Sequence, residues 1–307
     1  MYLQTIVKLL IRIFSLAGLG FYLKHKGLID DKIQQGLSKL LVSVFLPASI
    51  LASSGMPLDR SMLKQLLSTG IITTIYFILS TVILFIILRY LPNNIKTDKQ
   101  NIIMSLIIYA NTAFMGYPLV ESLLGQQAII IAVIFNIFWN IFFFTAGISI
   151  MKDQRSIDLS SIVKNPATIS SIIALIIYLS PFRLPEIATT ILTDIGSMVT
   201  PISMILIGAT LSTIPLLSLF SDRESLSVAL VRLIIIPSLG IVLLRFFNIP
   251  SLAYQTLIVL LAMPSASMVA IHAALFEKEA DFATRSVALN TALFVFSFPL
   301  ILFLMHL

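Results

Sequence analysis

Two polar clusters interrupt long apolar stretches of this 307-residue sequence, and their residue types suit the binding of an anion. The first stretch reads SLIIYANTAFMGYPLV from Ser105 to Val120 and contains Asn111, Thr112, Gly116 and Pro118. Proline removes a backbone amide and clashes with the preceding turn, so it breaks or kinks a helix. The half-helix that follows a break presents free N–H groups and a positive dipole end, which favour a negatively charged group.

The second cluster lies in VLLAMPSASMVAIH, which begins at Val259. Both clusters fall near the middle of an apolar run. In hydrocarbon an unsatisfied backbone group is costly, so such a break persists only where protein or a wet cavity covers it. In an alternative interpretation, the asparagine of the first cluster only caps its own helix and the prolines are tolerated kinks. We predict one shared substrate-binding site made of Asn111, Thr112, Pro264, Ser265 and Ser267, with Gly116, Pro118 and Pro264 as helix-breaking residues.

Three further asparagines are candidates to line the same cavity. Asn136 and Asn140 share one helix face at an i, i+4 spacing, and Asn290 has the position corresponding to Asn136 in the second half of the chain. Alternatively, they form ordinary hydrogen bonds between helices. The sequence has no cysteine, three scattered histidines and no HExxH motif, so we predict no enzymatic activity, no metal site and no cofactor.

The composition indicates that these clusters lie in an integral membrane protein. Apolar side chains make up 58% of the residues and charged side chains 11%, whereas soluble domains have roughly 25% charged residues. The net charge of +6 does not indicate a nucleic-acid partner, because the basic residues lie between apolar runs rather than on one face. At roughly 20 residues per crossing, the length accommodates about ten membrane helices.

Apolar runs predict where these ten spans lie. We interpret the first as a mature helix rather than a signal peptide, because no small-x-small cleavage site follows it. Lys8 and Arg12 in span one, and Arg232 near the cytoplasmic end of span eight, are expected to snorkel to the membrane interface. The runs are 5–23, 40–58, 65–88, 100–120, 122–151, 165–182, 195–221, 226–244, 246–276 and 286–307.

Basic loop residues predict the orientation. Loops after odd-numbered spans hold thirteen Lys and Arg residues and loops after even-numbered spans hold four, which predicts cytoplasmic odd loops and two extracytoplasmic termini. The thirteen are Lys24, Lys26, Lys32, Lys39, Arg89, Lys96, Lys99, Lys152, Arg155, Lys164, Arg223, Lys278 and Arg285, and the four are Arg60, Lys64, Arg183 and Arg245.

Ten spans divide into two halves of five, and since five is odd, the halves cross the membrane in opposite senses. This is the arithmetic of an inverted-topology transporter repeat. We place the first repeat at 1–151 and the second at 152–307. Pro47 in span two then corresponds to Pro201 in span seven, and the two polar clusters lie in the equivalent spans four and nine.

Several motifs resemble those of the auxin efflux carrier family. NTAFMGYPL at 111–119 resembles the family signature in the fourth span, and MPSA at 263–266 resembles its ninth-span counterpart. Ala110 stands where plant carriers have proline, so a milder first break is expected, and the long central loop of many plant members is absent. The supporting motifs, in order, are FLPA at 45–48, KNP at 164–166 and TPISMILIG at 200–208.

The resemblance implies an all-α fold of ten helices in a 5+5 inverted repeat with broken, crossing fourth and ninth helices. It implies a scaffold of helices 1, 2, 6 and 7, a transport unit of helices 3–5 and 8–10 that moves as an elevator, and a homodimer through the scaffold. Bacterial relatives are associated with malate, malonate or other organic acids, and plant relatives with indole-3-acetate. Asn111 and Pro264 would fall at the crossing, with Ser265 beside the latter.

Together these features predict a secondary transporter in the plasma membrane that moves a small organic anion by alternating access. No Asp, Glu, Lys or Arg lies in the middle of the longer charge-free runs, so no buried carboxylate for Na⁺ or H⁺ coupling is predicted. The alternative function is a channel, or a receptor for a small organic acid built on a transporter scaffold.

Overall fold

The computed structural model describes residues 2–55, 60–90, 95–153, 159–213, 222–247 and 249–306. Arg155 and parts of the predicted runs 40–58, 195–221, 246–276 and 286–307 lie outside the described residues. The helices, in chain order, are α1 (Tyr2–His25), α2 (Asp31–Ser53), α3 (Arg60–Tyr90), α4 (Thr97–Ile108), α5 (Tyr117–Leu124), α6 (Gln127–Lys152), α7 (Leu159–Lys164), α8 (Pro166–Leu179), α9 (Glu186–Ser212), α10 (Arg223–Arg245), α11 (Ser251–Leu261), α12 (Ser267–Leu275) and α13 (Ala280–His306).

Within the described ranges the fold is entirely helical, and an isolated bridge between Ala110 and Ser265 is the one extended pairing. In the part of the chain that the structure describes, six helices are long and apolar enough to cross a membrane: α2, α3, α6, α9, α10 and α13. Two shorter helices, α8 and α11, are also apolar. The chain is therefore an all-α, multi-pass membrane protein. Two helix pairs replace single long helices: α4 with α5 in predicted span four, and α11 with α12 in predicted span nine.

Three of the helical spans widen into a π turn directly before a proline. The π turns are Leu41–Phe45, Thr112–Gly116 and Val231–Ile235, and Pro47, Pro118 and Pro237 follow each of them by two residues. Since proline has no amide for the carbonyl four residues earlier, a turn with i to i+5 bonds lets the chain pass it without a complete break. A fourth π turn, Phe143–Gly147, widens α6 without a proline.

Polar contacts near the helix ends agree with spans of alternating direction. Ion pairs join the loops that follow predicted spans three, five, seven and nine, which alternation puts on one face. On the other face, Gln65 at the start of α3 accepts a hydrogen bond from the Ala253 amide at the start of α11, at 3.0 Å. The ion pairs are Lys99 with Glu224, Lys278 with Asp98 (2.7 Å) and Arg89 with Asp153 (4.0 Å).

The helices pack in two groups. In the first group, α1 lies along α9, and α2 packs on α8 and α9. In the second group, α3 packs on α6, and α13 packs on α10 and α12. The most completely buried stretches are 100–110 of α4 and the loop after it, 128–136 of α6, and 256–266 of α11 and the loop after it. The two interrupted helices therefore lie at the centre of the molecule, where the clusters predicted from the sequence meet.

Candidate binding site at the two interrupted helices

The first interruption begins earlier than the sequence predicted. Helix α4 ends at Ile108, and the backbone is extended at Tyr109 (φ −96°, ψ 110°) before the π turn starts. Gly116 and Pro118, predicted as helix-breaking residues, instead lie at the end of that π turn and in the first turn of α5. The first break spans 109–111 and is complete despite Ala110. The second break spans 262–266, around Pro264.

The two interruptions bond to each other as a short antiparallel pair. The amide of Asn111 donates to the Pro264 carbonyl at 2.7 Å, and the amide of Ala266 donates to the Tyr109 carbonyl at 2.9 Å. Ala110 and Ser265 face each other between these two bonds. Residues more than 150 positions apart in sequence thus supply the backbone partners that an unbroken helix supplies internally.

Most of the predicted side chains take part in this junction. The Ser265 hydroxyl, fully buried, donates to the Leu106 carbonyl at 2.7 Å. The Thr112 hydroxyl donates to Asn136 Oδ1 on α6 at 2.7 Å. Asn111 is half-buried, and its Oδ1 accepts from the Phe114 amide at 3.3 Å, which makes it the cap of the π turn.

The remaining predicted residues lie around the junction without bonding to it directly. Asn140 Nδ2 donates to the Asn136 carbonyl at 2.8 Å, and the half-buried Ser267 opens α12. A Cβ on Gly116 would lie 2.8 Å from Leu260 Cδ2, so glycine allows α5 to approach α11. Asn290 is fully buried on α13, and its amide group donates to Ser286 of the same helix.

Arg232 corrects one of the sequence predictions. We expected it to snorkel to the interface, but its side chain is fully buried against the two interruptions. Nε donates to the Met263 carbonyl (2.9 Å), Nη2 to the Leu261 carbonyl (2.7 Å), and Nη1 to the Ile107 carbonyl (2.9 Å). Nη1 also lies 3.0 Å from the hydroxyl of Tyr76, which donates to the Ile108 carbonyl at 2.8 Å.

These contacts replace the helical bonds that the first break removes. In an unbroken helix the amides of residues 110, 111 and 112 would serve the carbonyls of residues 106, 107 and 108. Here the Asn111 amide bonds to Pro264 and the Thr112 amide to Ala110. Ser265, Arg232 and Tyr76 supply donors to the three carbonyls instead.

The amide ends of the half-helices are different. Among the described residues, the backbone amides of Ala113, Ser267 and Met268 have no hydrogen-bond acceptor, and all three residues are half-buried. The first-turn amides of a helix have no internal partner and accept anions or water. At this junction protein donors therefore serve the carbonyls of Leu106, Ile107 and Ile108 at the first break and of Leu261 and Met263 at the second, whereas these amide donors stay open.

Two residues of this arrangement were missed from the sequence, Tyr76 and Arg232. An arginine inside the apolar run 226–244, five residues before Pro237, was a usable signal, because an ionisable residue inside a membrane span usually marks a functional site. For Tyr76, in the middle of the apolar α3, the sequence offered no comparable signal.

The long apolar helices around two central paired interruptions are those of a polytopic membrane protein. A family model described as membrane transport protein matches residues 5–160 and 155–302. The chain belongs to this family, the auxin efflux carrier family that the motifs in spans four and nine indicated.

Two archaeal relatives of similar length support the class. An uncharacterised transporter of Methanocaldococcus jannaschii is 22% identical over 279 residues, covering 89% of this chain and 90% of the relative. An uncharacterised transporter of Methanothermobacter thermautotrophicus is 23% identical over 300 residues, covering 97% of this chain and 96% of the relative. The chain is thus similar to transporters over nearly its whole length.

Proposed function

We propose that the protein is a secondary transporter that moves a small organic anion, such as a dicarboxylate or an auxin-like carboxylate, across the cell membrane. The observation that carries the proposal is the pairing of the two interruptions, Asn111 to Pro264, beside amides without acceptors at the N-terminal ends of the half-helices. Free amides and a positive helix end attract a carboxylate. Because no cationic side chain need touch the carboxylate, the site also releases it.

In this proposal the predicted site residues divide into two roles. Asn111 and Ser267 are half-buried and lie next to the open amides, so they contact the substrate. Thr112, Pro264 and Ser265 hold the junction together through their own hydrogen bonds. Asn136 and Asn140 support Thr112 from α6, and Asn290 is assigned to cavity lining only by its correspondence to Asn136.

We further propose that residues 1–151 and 152–307 form two five-helix inverted repeats. Transport then uses an elevator movement of a transport unit, spans 3–5 and 8–10, against a scaffold of spans 1, 2, 6 and 7. The two packing groups support a division into scaffold and transport units. Helices α1 and α2 both lie against α9, and α8 lies against α2, whereas α4 packs on α3, and α5 and α11 pack on α6, in the second group. A homodimer through the scaffold and extracytoplasmic termini belong to the same proposal.

The test compares Asn111→Ala with Asn165→Ala in proteoliposomes, by the initial uptake of radiolabelled malate, malonate and indole-3-acetate. Both variants remove an asparagine cap, because Asn165 accepts from the Ala167 amide at 2.9 Å at the start of α8. Loss of such a cap costs about 1 kcal/mol of stability in either place. We expect Asn111→Ala to lower uptake at least tenfold, a change of about 1.4 kcal/mol, and Asn165→Ala to retain it.

Equal uptake by the two variants would contradict the assigned site. Flux that does not saturate with any of the three anions would favour the alternative function, a channel.

A further inference from the structure

We infer that Arg232 sets the charge selectivity of the proposed site by neutralising the carbonyl ends of both broken helices. The inference rests on the proposed function and adds a positioning residue to it. Arg232 bonds to backbone carbonyls and to Tyr76, so its influence on the substrate is electrostatic and structural rather than a direct contact.

The carbonyls that Arg232 contacts belong to the C-terminal ends of two different helices. Ile107 lies at the end of α4, and Leu261 and Met263 lie at and just after the end of α11. A helix C-terminus carries roughly −0.5 elementary charge and a helix N-terminus roughly +0.5. One guanidinium therefore matches the combined charge of the two carbonyl ends.

The same arithmetic gives the charge that remains. The π turn that leads into α5 and the first turn of α12 are the two N-terminal ends at the junction, and together they retain roughly +1. Without Arg232, two positive and two negative ends would meet and cancel. With it, the junction has a net positive charge equal to that needed by one carboxylate group.

Arg232 has no counter-ion among the described residues, where the ion pairs involve Lys24, Arg89, Lys99 and Lys278. A fully buried charge is expensive unless it is paired or well hydrogen-bonded. Here neutral oxygens accept hydrogen bonds from Nε, Nη1 and Nη2, and among the described residues no carboxylate cancels the charge of the guanidinium. The π turn Val231–Ile235 carries it into this position.

The experiment separates the charge of Arg232 from its role as a hydrogen-bonding clamp. Tyr76→Glu keeps the arginine and adds a carboxylate near Nη1, whereas Tyr76→Gln is a matched uncharged control. Glutamate is shorter than tyrosine, but a carboxylate within about 5 Å of a guanidinium in a protein interior still offsets most of its field. Arg232→Gln removes the charge directly, and Arg232→Lys keeps it.

The measurement is the ratio of apparent affinities for an acid and its amide in detergent-purified protein, with indole-3-acetate against indole-3-acetamide and malonate against malonamide. Of the two acids, we consider the one that the wild type binds more tightly. We expect the wild type and Tyr76→Gln to bind this acid at least about tenfold more tightly than its amide. In Tyr76→Glu and Arg232→Gln the ratio is expected to fall to within about twofold. Arg232→Lys is expected to retain the ratio and lose thermal stability, because lysine cannot reproduce the branched contacts.

The outcomes distinguish this inference from the function on which it depends. If the wild type prefers the acid and a folded Tyr76→Glu or Arg232→Gln variant keeps that preference, Arg232 is only a clamp and the inference is wrong. If the wild type itself does not prefer the acid, the proposed anion transport is wrong as well. Should one charge-removing variant fail to give monodisperse protein, the other decides the result.

Discussion

Two helix contacts in this protein hold their helices together in different ways, one by close backbone packing and the other by hydrogen bonds. At the contact of α1 with α9, the backbones touch: a Cβ on Gly20 would lie 2.0 Å from the Ile205 carbonyl oxygen, and a Cβ on Gly208 would lie 1.8 Å from that of Ala17. At the paired interruptions, hydrogen bonds join the backbones, as in Asn111 to Pro264. Lipid provides no hydrophobic driving force between helices, so each contact depends on its own packing or polar bonds.

The difference between the two contacts indicates which of them is able to serve a ligand. The glycine contact joins the helical stretches Tyr2–His25 and Val199–Ser212, neither of which breaks at the contact, and it leaves no space between the backbones, so it suits a rigid scaffold. The interruptions exchange helical bonds for bonds from distant residues, and three half-buried amides keep their donors open. A binding site in an apolar core requires such donors, which a close-packed glycine contact does not provide.

The largest loss of stability is expected for a substitution that places a side chain in the close contact between α1 and α9. Gly20→Ala places a methyl group against the Ile205 backbone, so α1 and α9 must separate, at a cost of about 3 kcal/mol or more. Gly18→Ala is the control on the same helix, because a Cβ there has no heavy atom within 4 Å. Yield of monodisperse protein and its thermal transition measure the difference, and similar stability for both variants would show that the contact is not tight.

A loss of transport without loss of folding is expected when the two packing groups are linked. The chain has no cysteine, so an introduced pair supplies the only thiols. Ser122→Cys with Thr200→Cys joins α5 to α9, where the two hydroxyl oxygens lie 3.4 Å apart. Ser225→Cys with Ser286→Cys is the control, because it joins α10 to α13 within one group across 2.7 Å.

Oxidation of the first pair is expected to abolish uptake reversibly, and oxidation of the second to leave it nearly unchanged. Maleimide labelling measures disulfide formation, and proteoliposome uptake before and after reduction measures transport. If uptake persists with the first pair fully oxidised, α5 and α9 do not move relative to each other, which contradicts an elevator.

The sequence predicted the junction to the extent that local signals encode it. Pro264 and Asn111 were identified because a proline or an asparagine inside an apolar run is visible within one helix length. The start of the first break at Tyr109 was not, because that position has no helix-breaking residue. The chain leaves the helix there because the Tyr109 carbonyl accepts from the Ala266 amide and the Asn111 amide donates to the Pro264 carbonyl.

Arg232 was misplaced for a related reason. Arg232 lies near one end of its apolar run, and a long basic side chain near the end of a membrane helix ordinarily snorkels to the interface. The acceptors that keep it buried lie 125 residues earlier at Ile107 and about thirty residues later at Leu261 and Met263. Burial of this charge depends on carbonyls that become available only after both helices have broken and met.

The smallest effect is a loss of stability, expected on removal of one of the hydrogen bonds that replace helical bonds at the first break. Ser265→Ala leaves the Leu106 carbonyl buried without its donor, because the Ala110 amide that would serve it has left the helix. An unsatisfied buried acceptor costs about 1–3 kcal/mol. Ser203→Ala is the matched control, because the buried Ser203 hydroxyl donates to the Val199 carbonyl at 2.6 Å inside the helical stretch Val199–Ser212 of α9, where the helical amide remains as a donor.

We therefore expect thermal unfolding to show a clear loss of stability for Ser265→Ala and a smaller one for Ser203→Ala. Ser265→Thr, which keeps a hydroxyl, is expected to recover part of the loss. Equal losses for the two alanine variants would mean that the broken helix needs no donor from its partner, and the hydrogen-bonded junction would then differ little from the glycine contact in what holds it together.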